Sequence, residues 1–167
     1  MTTVSSGQTQ DVSSGQTVSG TIVLSGGTEY VFSGGLDIGT TISSGGLEYV
    51  DSGGVASGTV VLSGGQLFVS GGSTVSAKLE GGAYQYVSNG GSTTATVLSG
   101  YYNDQYGSSG GTTTGTLVSG YDDGQYVYNG GTATSTLLIS NYNNQFVYSG
   151  GSATGTVVSG YDDGQYI

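Results

Sequence analysis

Residues 18–35, VSGTIVLSGGTEYVFSGG, run straight into residues 36–54, LDIGTTISSGGLEYVDSGG, and the second stretch repeats the first almost position for position. Aligned on the double glycines, the frame continues as VASGTVVLSGGQLFVSGG (55–72), STVSAKLEGGAYQYVSNGG (73–91), STTATVLSGYYNDQYGSSGG (92–111), TTTGTLVSGYDDGQYVYNGG (112–131), TATSTLLISNYNNQFVYSGG (132–151) and the shorter SATGTVVSGYDDGQYI (152–167). A repeat of 18–20 residues marks a stacked array, in which each unit buries its apolar face against its neighbours.

Two columns pass through all eight copies. One holds Val23, Ile42, Val61, Leu79, Leu98, Val118, Leu138 and Val158; the other holds Tyr30, Tyr49, Phe68, Tyr86, Tyr106, Tyr126, Phe146 and Tyr166. Each lies in a short apolar run closed by Gly-Gly, Ser-Gly or Asn-Gly, which gives strand, turn, strand, turn per unit. Helices are excluded because glycine recurs every few residues between Val, Thr and Tyr. Column identity selects parallel stacking, where each residue meets its own counterpart about 4.8 Å along the axis. The expected fold is all-β: a parallel β-helix, or solenoid, of about eight coils over residues 18–167, stopping within the last coil and forming a rod on the order of 40 Å long. Residues 1–17, with VSSGQT at 4–9 and again at 12–17, are expected to be shorter half-units that cap the open end.

Alternation assigns the faces. The first aliphatic column points inward, and its neighbour, which admits Lys78, points out. In the second run the column Val31, Val50, Val69, Val87, Gly107, Val127, Val147 and Ile167 is placed inward, because Asp51 shares the aromatic face and would be costly inside. The eight aromatics then form a surface ladder, suited either to mutual stacking or to contact with sugar rings or a second rod.

Composition narrows the function. The chain has no His and no Cys, and Lys78 is its single basic residue, so imidazole and thiol catalysis, disulfides, zinc fingers and a cationic nucleic-acid groove are all ruled out. The net charge of −10 repels anionic polymers and membranes and fits an extracellular setting, and no apolar run is long enough to span a bilayer. No enzyme activity, cofactor, nucleic-acid partner or membrane insertion is expected.

The acidic turns at Asp122, Asp123, Asp162 and Asp163 are weak candidates for calcium ligation, since that ion takes oxygen ligands. Stacking is expected to set Asp122 over Asn103 and Asn143, with Asp163 two coils from Asp123. Turn preference explains Asp, Asn and Gly at a corner equally well. The Gly-Gly-x-Gly-x-Asp frame of calcium-binding solenoids is absent, so no metal site is assigned. Gln85, Gln105, Gln125, Gln145 and Gln165 are expected to form an amide ladder along the axis. Thr-x-Thr recurs at 94–96, 114–116, 134–136 and 154–156, a pattern that ice-binding solenoids use, although the second Thr shares the parity of the inward column.

The frame SGTIVLSGGTEYVFSGG with GTTISSGGLEYVDSGG, preceded by VSSGQT, resembles the strand-loop-strand repeats of AIDA-type autotransporter passenger domains across nearly the whole chain. The resemblance implies a right-handed β-helix on a bacterial cell surface, acting in adhesion, self-aggregation and biofilm formation. It implies as partners host glycans or surface proteins, like passenger domains, and a heptosyltransferase that modifies loop serines. The matching serines are Ser25, Ser33, Ser44, Ser52, Ser63, Ser70, Ser109 and Ser149, with Ser99, Ser119 and Ser159 in the altered Ser-Gly-Tyr turns. An ice-binding or purely structural solenoid, or a carbohydrate-active enzyme on the same fold, are the alternatives.

Overall fold

The computed structural model describes residues 2–167, which fold as a parallel β-solenoid without helices. Every strand pairing between coils is parallel and joins each residue to its column neighbour, as in Tyr30 to Tyr49 and Val31 to Val50. A first sheet of nine strands runs from Thr3–Val4 to Val157–Val158, and a second of nine from Thr9–Val12 to Gly164–Tyr166. A third sheet of eight runs from Thr17–Ser19 to Ser152–Thr154.

The coil therefore has three strands where the sequence suggests two. The third strand lacks an apolar signature because its one inward position faces a narrow corner and takes a small or polar residue: Ala56, Thr74, Thr93, Thr113 and Ala133 are buried there. Residues 3–19 also differ from expectation. They form a complete coil, not two half-units, with Val4 on the first sheet and Val12 on the second, both buried. Their VSSGQT hexapeptide is used twice because it makes two successive corners, and the stack has about nine coils.

The core is built by two aliphatic columns. Val23, Ile42, Val61, Leu79, Leu98, Val118 and Leu138 are buried from the first sheet. Val31, Val50, Val69, Val87, Val127 and Val147 are buried from the second, while the aromatics beside them lie on the outer face. Lys78 is exposed and pairs with Glu80 on the same outer face. Such a surface pair contributes little to stability.

The corner between the second and third sheets shows why glycines come in pairs. Gly34 has φ +75°, a left-handed conformation that side chains resist. Gly35 has an ordinary φ, but a Cβ there would sit 2.2 Å from the Val12 carbonyl oxygen of the preceding coil. The two glycines thus solve different problems, one of torsion and one of space. By contrast Gly39, at the corner leading back to the first sheet, has φ +71° and open space around it, and its column admits Ser76, Ala95 and Ser135. Gly35→Ala is therefore expected to destabilise the fold by about 2–3 kcal/mol or more, since only backbone could yield. Gly39→Ala is expected to cost only about 1 kcal/mol. Urea unfolding of the two variants checks the difference; equal losses would contradict it.

Candidate functional site

Seven of the expected acceptor serines stand on two exposed ridges. Ser25, Ser44 and Ser63 lie at the corner between the first and second sheets, and Ser33, Ser52, Ser109 and Ser149 at the corner between the second and third. Each is followed by a glycine with φ between 73° and 81°. That glycine also protects the serine below it. A Cβ at Gly45 would lie 2.8 Å from Ser25 Oγ, and one at Gly64 would lie 2.9 Å from Ser44 Oγ. Without side chains on the glycine column, the hydroxyls stay open to an approaching reagent. Ser6 and Ser14 occupy the same columns and are exposed too. The repeated Ser-Ser-Gly-Gln signal marks them, although neither precedes a double glycine.

The other four serines lie off the ridges. Ser70 ends its strand and pairs with Asp51 and Ser88, one position before the turn serines. Ser99 pairs with Glu80. The hydroxyls of Ser99, Ser119 and Ser159 donate to the carbonyls of Leu79, Leu98 and Leu138 at 3.4, 3.1 and 3.4 Å. One residue fewer separates the inward aliphatic from the glycine in these copies, as in Leu98-Ser99-Gly100 against Val23-Leu24-Ser25-Gly26. The motif survives while its serine moves one column inward along the chain.

The eight aromatics stack along the outer face of the second sheet. Neighbouring rings from Tyr30 to Tyr166 have centroids 5.1, 4.7, 4.9, 5.1, 5.0, 5.3 and 5.1 Å apart and lie nearly parallel. They are half-buried by one another, except Tyr166 on the last coil. Each contact contributes about 0.5–1.5 kcal/mol. The Tyr106 hydroxyl donates to Asp104 Oδ2 at 3.0 Å. A second group of tyrosines, Tyr101, Tyr102, Tyr121, Tyr142 and Tyr161, is exposed at the corner that replaces Ser-Gly-Gly beyond residue 100.

At that corner the two adjacent aspartates part company. Asp122 is aligned with Tyr102 and Tyr142, not with Asn103 and Asn143 as expected, and it is exposed with φ +56°. Asp123 is the residue aligned with the asparagines, and it is buried. Its Oδ1 accepts from the Asn103 backbone amide at 2.8 Å and from Asn103 Nδ2 at 3.1 Å. Asn143 Oδ1 accepts from the Asp123 amide at 3.0 Å, and Asp163 Oδ1 from the Asn143 amide at 2.7 Å. The column staples each coil to the next. Among the described residues, Asp122, Asp123, Asp162 and Asp163 form no metal-ligating group.

Inside the rod, the residue before each aromatic also points inward. From coil five onward it is glutamine, and the ladder closes: each amide donates to the glutamine of the preceding coil at 2.7 Å for Gln105, Gln125 and Gln165 and 2.5 Å for Gln145. The same carbonyls accept from Thr96, Thr116, Thr136 and Thr156. The inward threonines of the Thr-x-Thr pairs are thus occupied inside the core. Burying an amide is tolerable when its hydrogen bonds are met in this way.

Earlier in the same column stand Glu29 and Glu48, with Asp37 facing them from the third sheet, all three fully buried. Burial, followed by the Asp37 charge, pushes the Glu29 carboxyl up to about 7. Burial raises Glu48 well above its ordinary value and also raises Asp37. The sequence contains the signal for this cluster: Glu29 and Glu48 share the parity of the inward Val31 and Val50. The glutamine column conceals it by starting, as a run of one residue type, only at Gln85.

Comparison with solved structures gives the family. The chain matches the crystal structure of a TibC-catalyzed hyper-glycosylated TibA55-350 fragment with a TM-score of 0.85 and 35% sequence identity, covering 99% of this chain and 68% of the other. The chain belongs to the AIDA-type autotransporter passenger family. No family model matches the sequence, and no curated protein matches it. In this passenger segment the repeat is carried by a three-strand coil whose corner between the first and second sheets is a Ser-Gly-Gly turn in the earlier coils and a Tyr-bearing turn beyond residue 100.

The passenger's asparagine–aspartate column makes a pH-dependent prediction. Burial, partly offset by hydrogen bonds from Asn103, raises the Asp123 carboxyl from 3.8 to about 6. The folded state then holds a proton that the unfolded chain releases, so stability falls as pH rises from about 4 to 6 and levels off above. Asp123→Asn should remove that part of the slope and stabilise the protein at pH 8 by on the order of 1 kcal/mol or more. An asparagine at 123 can donate to the Gly100 carbonyl, as Asn143 Nδ2 does to the Gly120 carbonyl at 3.1 Å. Denaturation of both proteins between pH 4 and 8 tests this. A variant less stable at pH 8, with the slope intact, would contradict it.

Proposed function

We propose that this passenger segment is a non-enzymatic adhesive rod on the bacterial cell surface whose ridge serines accept heptose from a heptosyltransferase. The observation that carries the reading is the pair of exposed serine ridges, on which the hydroxyls of Ser25, Ser33 and Ser44 each lie against a glycine of the next coil where a Cβ would crowd them. In-register stacking spaces Ser25, Ser44 and Ser63, and likewise Ser33 and Ser52, at about 4.8 Å along one edge, so an enzyme tracking the ridge would meet the same turn in successive coils. The similar TibA fragment is itself hyper-glycosylated by TibC.

Contact with a host glycan, a host surface protein or a like passenger would use the stacked aromatics and the tyrosine corner. A uniform strip of half-buried rings suits many weak contacts better than one tight pocket. The absence of His and Cys from all 167 residues supports a non-catalytic role. The burial of Thr96, Thr116 and Thr136 argues against an ice-binding threonine face.

Co-expression with a heptosyltransferase should raise the intact mass in whole heptose steps. The triple variant Ser25→Ala, Ser44→Ala, Ser63→Ala should lower the maximum by three steps, and Ser99→Ala with Ser119→Ala should leave it unchanged. An unmodified mass in the presence of active transferase would sink the proposal.

A further inference from the structure

Three carboxylates without a counter-charge meet inside the upper coils. Glu29 and Glu48 are consecutive rungs of one inward column, and Asp37 reaches them from the third sheet. All three have 0% exposure, and one oxygen from each lies within 4.8 Å of the others. Both oxygens of Glu29, both of Glu48 and Asp37 Oδ2 have no hydrogen-bond partner. The buried hydroxyls of Thr21, facing Glu29, and Thr59, facing Glu48, also lack partners. The one bond present runs from Thr40 Oγ1 to Asp37 Oδ1 at 2.7 Å.

This arrangement is costly as an apo core. A buried carboxylate needs donors or a cation, and here the threonine hydroxyls that face Glu29 and Glu48 form no hydrogen bond to them and no basic side chain lies beside them. The same column shows that the fold does not require acids: Leu67 fills it in the next coil and Gln85 in the one after, with hydrogen bonds to Thr74 and Thr93. Something must therefore meet the oxygens of Glu29 and Glu48.

The geometry points to a buried calcium ion held by Glu29, Asp37 and Glu48, with the hydroxyls of Thr21 and Thr59 completing its oxygen shell. Two ligands on opposite sides of a calcium ion are at most about 5 Å apart, given oxygen distances of roughly 2.3–2.6 Å, and the carboxylate oxygens fall within that limit. The donors are all oxygen, which excludes the nitrogen and sulfur preferences of zinc and copper. Magnesium keeps much of its water and demands a strict octahedron, whereas this interior is closed and offers several oxygens in a loose set. Two positive charges against three carboxylates leave one negative charge, which a single shared proton neutralises.

Because the site is closed on every side, the ion enters as the coils close, not by diffusion into the folded rod. The site is separate from the serine ridges, and its test stands whether or not those serines carry sugar. The test is to unfold the whole chain in denaturant, refold it in CaCl2, in MgCl2 or in EDTA, desalt, and measure bound metal and Tm. Refolding in CaCl2 should leave about one calcium per chain and a Tm at least about 5 °C above the EDTA sample. Glu48→Gln, and independently Glu29→Gln, should lower retained calcium at least tenfold and remove the Tm difference. No retained calcium in the wild type, or equal Tm in CaCl2 and EDTA, would overturn the site and leave the three carboxyls protonated. Retention of magnesium in preference to calcium, or unchanged calcium in both variants, would overturn the assignment.

Discussion

Everything in this rod depends on parallel, in-register pairing between coils, which makes each side chain the neighbour of its own counterpart. A position that tolerates itself at about 4.8 Å can be repeated; one that does not must alternate or be relieved. Valine, tyrosine and glutamine repeat because they pack, stack or bond to their own kind. Aspartate does not, and the column Asn103, Asp123, Asn143, Asp163 interleaves it with an amide that donates to it. Glu29 directly beneath Glu48 breaks that rule with no hydrogen bond to the oxygens of either, which makes the pair the most informative irregularity in the core.

The same constraint shapes the surface. The space over a turn serine is set by two coils together, a serine in one and a glycine without Cβ in the next, as with Ser25 and Gly45. From the sixth coil on, the first corner changes to a tighter path with Tyr102, Asp122, Tyr142 and Asp162 in the left-handed conformation, and its serines turn back onto the preceding backbone. The rod therefore carries two chemistries along one edge, hydroxyl turns first and phenolic turns later.

Much of this was legible in the sequence because a repeated fold writes its contacts as columns. The inward aliphatics, the outward aromatics and the glutamine ladder all follow from period and parity, with Asp51 deciding the face of the second strand. The third strand is not legible: apart from Val18 its inward residue is Ala, Thr or Asp, and no apolar run marks it. Ser70 and Ser99 were misplaced because a one-residue deletion keeps the Ser-Gly string while shifting its register. Glu29 and Glu48 are hidden for a different reason, since parity puts them inside but acidic residues are expected outside, and Asp37 lies on the strand that no apolar run marks.

Column register is the central claim, and the absence of cysteine from the chain makes it directly measurable. With Glu80→Cys and Ser99→Cys together, the two sulfurs fall on paired residues of adjacent coils, within the Cα separation of roughly 4.4–6.8 Å that a disulfide spans. Oxidation should close this disulfide in nearly every molecule while Gly81→Cys with Ser99→Cys, in which Gly81 holds the ridge position of the adjacent coil, stays reduced. Closure of the second pair and not the first would contradict the register and place Ser99 back on the serine ridge.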